Sequence, residues 1–250
     1  MVSAQEGIAR VRQTAGRLVC ANRKTRTRLA AFGAVCFGAC AVLAACSPVK
    51  MGAAAIVGNE RITTSSLDTQ VSNLQAAAKP YGSQVQLAPA QMPNAVLSWL
   101  IRFDITDSAA TSAGISVTQA QIQQGVASIT SQAAQVAAQQ GLGSPQVVFL
   151  TAGISPQMLP ALGRYQAQVT EYAKQVNGGT LPTSTAEDDK VNAALTKAQC
   201  TAAKSLNIQV NPQFGRLDYT QYSVVATPDR LSRPPGAPSP APTTGLYPAC

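Results

Sequence analysis

Apolar side chains recur every three or four residues over most of the chain between residues 64 and 206, and glycines or prolines interrupt the pattern. This spacing is typical of amphipathic helices. There is no alternation of strand and helix patterns, and no repeat of fixed period. The sequence therefore predicts a mostly α fold with a small β element.

Capping residues mark the predicted helix starts. Residues 63–66 offer several N-cap hydroxyls for the first helix, and Ser65 with Asp68 shows the spacing of a capping box. Thr118 with Gln121 shows the same spacing, and Ser144 precedes a proline suited to a first helical turn. Further helices are predicted to start near Asn94, Ser155 and Glu187. Glycines that can adopt a left-handed conformation stand at the predicted helix ends: Gly114, Gly141, Gly153 and Gly178.

The β element is predicted at both ends of the helical region. Gly58-Asn59 between two short apolar runs predicts a tight hairpin turn. The later segment 208–210 reads as a short strand that can pair with the hairpin near Val57. Asn211, Pro212 and Gly215 then predict a turn that closes the domain.

The first 45 residues have the three parts of a secretory signal peptide. Seven cations against one acid precede residue 29, an uncharged apolar run extends from Leu29 to Leu43, and small residues follow. Leu43-Ala44-Ala45-Cys46 resembles the bacterial lipobox. That resemblance implies cleavage between Ala45 and Cys46 and lipid (palmitate) attachment at Cys46; the alternative is a chance cysteine in an alanine-rich signal. Two acyl chains anchor stably, so we expect a lipoprotein on the extracytoplasmic face of the bacterial cell membrane.

The positive charge of the chain belongs largely to that segment. After cleavage, twelve Lys and Arg residues remain against ten Asp and Glu residues, although the whole chain carries +8. A nearly neutral mature protein offers no basic surface for nucleic acid. The sequence also contains no nucleotide-binding motif, so neither partner is expected.

The chain contains no histidine. Ser-His-Asp and Cys-His catalytic sites and histidine-ligated metal sites are therefore excluded. We predict no catalytic residues, no metal site, no cofactor and no enzymatic activity.

Two cysteines remain after the lipid-attachment residue and the signal segment are set aside. Cys200 and Cys250 form an even pair in an exported protein, and oxidising compartments favour pairing. We predict a Cys200–Cys250 disulfide; the alternatives are two free thiols or an intermolecular bond through Cys250.

These features divide the chain into four parts: a signal peptide (1–45), a tether (46–52), a helical domain (53–222) and a proline-rich tail (223–250). Seven prolines lie beyond Thr227 with little apolar mass. Such a composition is typical of disordered or polyproline-like segments. We interpret the tail as a spacer; the alternative is a segment that binds a partner.

Four motifs in the domain resemble the SurA/PrsA-type N-terminal chaperone domain, over roughly residues 53–220 and behind the lipobox. Each motif alone is weak, and together they occur in the order of the family. They are the hairpin segment 56–63, the helix-turn-helix elements 97–101 and 113–118, the step Gly153-Ile154-Ser155, and segment 210–218, which resembles the "V-N-P-R-[FY]-G-x-W-D" end of bacterial lipoproteins of this kind.

The resemblance implies an extracytoplasmic chaperone whose helices form an apolar cradle for unfolded exported polypeptides. The family often carries an inserted parvulin prolyl isomerase. Here only about ten residues separate Gly178 from the last helix, so we expect no such module at this position. The alternatives are a prolyl isomerase with an unrecognised site, and a structural or interaction lipoprotein that serves one partner.

Several residues are candidates for binding. Trp99, Phe103, Tyr165 and Tyr172 either line a groove for extended apolar peptides or pack in the core, and core packing is the favoured interpretation. Glu187, Asp188 and Asp189 suit a helix N-terminus better than a cation site. Asp104 and Asp107 are interpreted as a solvated pair rather than metal ligands.

Overall fold

The structure, a computed structural model, describes residues 52–226. The predicted signal peptide, Cys46 and nearly all of the tether lie outside the described residues, as do Cys250 and the tail from residue 227.

Six helices dominate the described part of the chain, as predicted. They are α1 (Thr64–Ala78), α2 (Met92–Ser112), α3 (Gln119–Gln139), α4 (Pro145–Thr151), α5 (Leu159–Val176) and α6 (Thr185–Ser205). Short 3-10 turns precede α2 and α5. Five short strands complete the fold: β1 (Ala53–Val57), β2 (Glu60–Thr63), β3 (Gln209–Val210), β4 (Arg216–Asp218) and β5 (Ser223–Val225).

The predicted capping box of α3 is confirmed. Gln121 donates its backbone N–H to Thr118 Oγ1, and Thr118 donates its own to Gln121 Oε1 at 2.8 Å. The capping box predicted for Ser65 and Asp68 is wrong, because α1 begins earlier. Thr63, still extended at the end of β2, accepts a hydrogen bond from the Ser66 N–H at 3.0 Å and caps the helix.

The predicted stop at Gly114 is also confirmed. Gly114 has a φ of 70°, and the next N–H, that of Ile115, donates to Ala110 O at 2.9 Å. This is the hydrogen-bond pattern with which a left-handed residue closes a helix.

The predicted hairpin and its third strand form one antiparallel sheet with the order β2-β1-β3. Gly58-Asn59 connects β1 and β2, and Ala55 pairs with Val210 of β3. Because β1 lies between β2 and β3, its backbone groups find hydrogen-bond partners on both edges. All three alanines of β1 are buried.

Helix α2 lies at the centre of the molecule and packs against α1, α5, α6, β1 and β5. Leu97, Ile101 and Ile105 follow one face of α2 and are fully buried. Full burial of such side chains contributes about 1.5–3 kcal/mol each. This helix therefore supplies the framework on which the candidate site is built.

The predicted boundary of the tail at residue 223 is wrong, since Ser223–Val225 form β5. This strand pairs with β4 and lies on α2, where the buried Val224 donates its N–H to Ser98 Oγ at 2.7 Å. The turn predicted at Gly215 is present, with a φ of 119°, and a side chain there would collide with Val225 O.

Candidate functional site

Three of the four predicted aromatic residues meet on one side of α2. Trp99 and Phe103 lie one turn apart on α2, and Tyr165 approaches them from α5. The Tyr165 ring stands at 90° to the Trp99 ring with 6.2 Å between centroids, and the Trp99 and Phe103 centroids are 5.7 Å apart. We call these three residues the aromatic cluster.

The aromatic cluster is half-buried and packs against the core. Trp99 donates its Nε1–H to Ala152 O at 2.9 Å, which fixes the ring against the end of α4. The Arg102 guanidinium lies 4.6 Å from the Trp99 ring centroid and donates to Gln221 O at 2.7 Å. The cluster therefore has a packing role, and it also presents aromatic and cationic surface to solvent.

A small apolar cleft lies where α4 turns into α5, and the Trp99 hydrogen bond to Ala152 links the cluster to this region. We call this cleft the α4–α5 cleft, and its lining residues are Gln146, Phe149, Leu150, Ile154, Pro156 and Leu159. Tyr81 donates its hydroxyl to Gln146 Oε1 at the rim. Such a surface, apolar with one amide, suits contact with an apolar side chain.

The loop between α4 and α5 joins the cleft to the aromatic cluster. Ala152 holds Trp99, and Ile154 lines the cleft two residues later. Gly153 lies between them with a φ of 82°, and a Cβ there would come within 2.6 Å of the Ala95 Cβ. Sequence reasoning missed the cleft, although Gly153-Ile154-Ser155 was one of the motifs that carried the resemblance.

Tyr172 is not part of the aromatic cluster. It lies two helical turns beyond Tyr165 on α5 and donates its hydroxyl to Ala194 O of α6 at 3.3 Å. Its contact is thus between helices, as the core interpretation expects.

Only Asp107 fits the interpretation of Asp104 and Asp107 as a solvated pair, because its side chain is 41% exposed. Asp107 accepts hydrogen bonds from Arg164 Nε at 3.0 Å and from Gln168 Nε2. Asp104 is partly buried, and this burial raises its pKa to about 7, with further repulsion from Glu60 and Asp107. Spacing along α2 does not reveal the burial of Asp104, which is the main cause of its raised pKa.

The acidic segment near residue 187 begins α6, as predicted. Glu187 accepts hydrogen bonds from the Thr183 N–H at 2.7 Å and from Thr183 Oγ1, and these bonds lower the pKa of its carboxyl. Glu187 and Asp188 both lie in the first helical turn.

Residues 52–226 outside the aromatic cluster and the cleft offer few further candidates for a site. Within that range no three Cys, Asp or Glu residues come together as a metal site. None of the helices there has the length and apolar character needed to cross a bilayer. Leu181, in the loop between α5 and α6, is the one large apolar side chain of this part of the chain that is classed as exposed.

Of the residues predicted for lipid attachment and for the disulfide, the structure describes only Cys200. Cys46 and Cys250 lie outside the described residues, so the cleavage site and the Cys200–Cys250 bond stay predictions. Cys200 is buried on α6.

Comparison with known proteins gives one family. Residues 26–147 match the model of the SurA-like N-terminal domain. The match begins inside the predicted signal peptide and ends in α4, so it includes the hairpin, α1, α2 and α3 but not the motifs at 153–155 and 210–218. Neither a curated protein nor a solved structure matches the chain.

Proposed function

We propose, for a chain that contains a SurA-like N-terminal domain, that it is a membrane-anchored extracytoplasmic chaperone without enzymatic activity. It binds apolar segments of unfolded exported polypeptides and assists their folding. The observation that carries this proposal is the match of residues 26–147 to the SurA-like N-terminal domain, which supports a chaperone-type family.

The α4–α5 cleft and the aromatic cluster are the surface to which we assign client binding. Phe149 and Leu159 line the cleft and offer apolar contact. The half-buried ring of Trp99 is held against the loop that follows α4 by its hydrogen bond to Ala152. A client side chain that enters the cleft leaves water, and the segment is released by dissociation alone. Weak and reversible binding is expected from so small a cleft.

An aggregation assay tests client binding. We expect the mature protein to suppress aggregation of a diluted, denatured client at stoichiometric amounts. Gln146→Glu keeps the acceptor for Tyr81 but brings a charge to the rim of the cleft, so it should weaken suppression about tenfold, equivalent to about 1.4 kcal/mol.

Gln132→Glu is the matched control, because Gln132 is exposed on α3. It should behave like the unchanged protein. No suppression by the unchanged protein would overturn the proposed function, and equal loss in both variants would overturn the assignment of the cleft.

Membrane anchoring rests on the lipobox resemblance at Cys46. We expect palmitate to label the protein in cells and Cys46→Ser to abolish both labelling and membrane retention. Unchanged membrane retention of the Cys46→Ser protein would contradict lipid attachment at this residue.

The absence of enzymatic activity is part of the proposal. The loop between α5 and α6 spans only residues 177–184, which leaves no room at that position for an isomerase module. We expect no acceleration of a refolding reaction limited by proline isomerisation, and measurable acceleration would favour the isomerase alternative.

One observation favours a second candidate function. Within residues 52–226, Leu181 is the one large apolar side chain that is largely exposed, at 50%. A surface with so few exposed apolar side chains fits an interaction lipoprotein that serves one dedicated partner better than a chaperone with many clients. Recovery of one stoichiometric protein from membranes, rather than diverse unfolded chains, would favour this candidate.

A further inference from the structure

The distance between the proposed lipid anchor and the folded domain is short. Gly52, the first described residue, follows Cys46 by six residues, which span at most about 20 Å when fully extended. A folded body of 175 residues has a radius of gyration of about 16 Å and measures about 40 Å across. With so short a tether, only the side of the domain near Gly52 can reach the membrane.

The domain cannot lengthen this tether at low cost, because β1 is fixed from its first residue. The Thr64 N–H donates to Gly52 O at 2.8 Å, and Asn211 donates from its N–H to Ala54 O and from Nδ2 to Ala53 O. Ala53 and Ala54 are buried. Freeing two more residues would break these bonds and expose the start of the core strand.

The register of the sheet shows which residues surround the start of β1. Ala53 pairs with Thr63, whereas Val57 pairs with Glu60 at the opposite end of the hairpin. The turn after Asn211 lies at the start of β1, and its Gln213 is exposed. Asn59 is exposed in the turn at the far end.

A cation lies at the start of β1. An Nη nitrogen of Arg61 is 3.6 Å from the position that a Cβ on Gly52 would occupy, so this side chain extends back towards the tether. The Arg61 backbone pairs with Ile56, next to Glu60 near the far end of the strand pair, so it is the long Arg61 side chain that reaches the start of β1. A guanidinium has five N–H donors and can bind a phosphate in addition to partners within the protein.

We infer that the face around Gly52, formed by Arg61, Thr63 and the turn at Asn211–Gln213, lies against anionic lipid headgroups, with Arg61 contacting a headgroup phosphate. This inference rests on the proposed anchor at Cys46. It fixes which end of the domain faces the membrane, and the Gly58-Asn59 turn is then directed away from it.

The test anchors the protein without acylation, so it is separate from the test of the anchor. Six histidines replace Cys46 directly before Ser47, and nickel-chelating lipids hold the chain, which has no other histidine. In a Trp99→Phe background, a single tryptophan is placed by Gln213→Trp or by Asn59→Trp. Both reporter proteins carry Trp99→Phe, so any effect of this change on energy transfer is the same in the two proteins that are compared.

Energy transfer from tryptophan to dansyl headgroups reports the distance to the membrane. We expect the Gln213→Trp protein to transfer several-fold more efficiently than the Asn59→Trp protein, and a 20-residue Gly/Ser insertion before Ser47 to remove the difference. Equal transfer without the insertion would overturn the inferred orientation.

Phosphatidylglycerol tests the headgroup contact. Raising its fraction in phosphatidylcholine vesicles should increase transfer from the Gln213→Trp protein, and Arg61→Gln should abolish the increase. An increase that survives Arg61→Gln would overturn the contact with Arg61. Failure of palmitate labelling in cells would instead overturn the proposed anchor, and with it the premise of the inferred orientation.

Discussion

Ser98 connects α2 with the distant strand β5. Its hydroxyl donates to Asn94 O at 2.6 Å and accepts from the Val224 N–H at 2.7 Å. Ser98 and Val224 are 126 positions apart in the sequence. Ser98 and Val224 are both buried. The Ser98 hydroxyl thus accepts a hydrogen bond from a backbone N–H of β5 that does not bond to the neighbouring strand β4.

Ser98→Ala should therefore destabilise the protein by about 1–3 kcal/mol, because the Val224 N–H loses its acceptor while it stays buried. Chemical denaturation measures the change. Ser128→Ala, at an exposed position of α3, should cost less than about 0.5 kcal/mol. Equal effects of the two changes would contradict the role of Ser98.

Asp104 makes stability depend on pH in an unusual direction. Its pKa rises from 3.8 to about 7 on folding, mainly through burial. The folded state therefore binds the proton more tightly than the unfolded state, and the free energy of unfolding falls as the pH rises from about 4 to about 7.

Asp104→Asn should remove this dependence and stabilise the protein at pH 8. The full shift corresponds to about 4 kcal/mol, which we reduce to about 1–2 kcal/mol because the side chain is only partly buried. Denaturation at pH 4.5 and pH 8 measures the change, and Asp189→Asn at an exposed position of α6 is the control. A pH dependence that Asp104→Asn leaves unchanged would contradict this account.

At the scale of elements, two glycines set the distance between α3 and α5. A Cβ on Gly125 would lie 2.3 Å from Gly163 O, and a Cβ on Gly163 would lie 2.7 Å from Ile122 O. The two helix backbones are in contact at this point, so no side chain fits between them.

Gly163→Ala should destabilise the protein although alanine favours helices, because the added methyl must push α3 away from α5. Overpacking of this kind costs about 1–3 kcal/mol. Gly143→Ala, where the nearest atom is Gln84 Oε1 at 3.9 Å, should be close to neutral. Thermal unfolding measures both, and a stabilising Gly163→Ala would show that the helices separate easily.

Elements specified by neighbouring residues could be predicted from the sequence. Thr118 and Gln121 lie three residues apart, and Gly114 needs only its own φ, so the signals for α3 and the end of α2 are local. Strand β5 has three residues and is held by Ser98, far away in the sequence, and no pattern of spacing reveals such a partner. Thr63 was among the hydroxyls predicted to cap α1, but the spacing of residues did not show that it also ends β2.

The candidate site was predictable to a similar degree. The aromatic spacing on α2 and α5 indicated Trp99, Phe103 and Tyr165, and these residues do meet. Tyr172 lies on the same face of α5 but is opposite α6 instead, which only the packing of the helices determines. The α4–α5 cleft arises where a loop folds back onto α2, and a single sequence does not contain that geometry.

At the scale of the whole molecule, residues 26–147 match a SurA-like N-terminal domain, and the proposed lipid anchor at Cys46 precedes the first described residue by six positions. The described surface carries few exposed large apolar groups, so we propose that client binding depends on the α4–α5 cleft. The domain, held close to the membrane, would meet polypeptides as they emerge there.

Site-specific photocrosslinking tests client binding at the cleft most directly. Benzoylphenylalanine replaces Gln146 at the rim of the cleft or Gln132 on α3, and each protein is irradiated with one client in its unfolded and its folded form. We predict crosslinks from position 146 to the unfolded client only, and few from position 132. Equal crosslinking from both positions, or none to the unfolded client, would contradict the account.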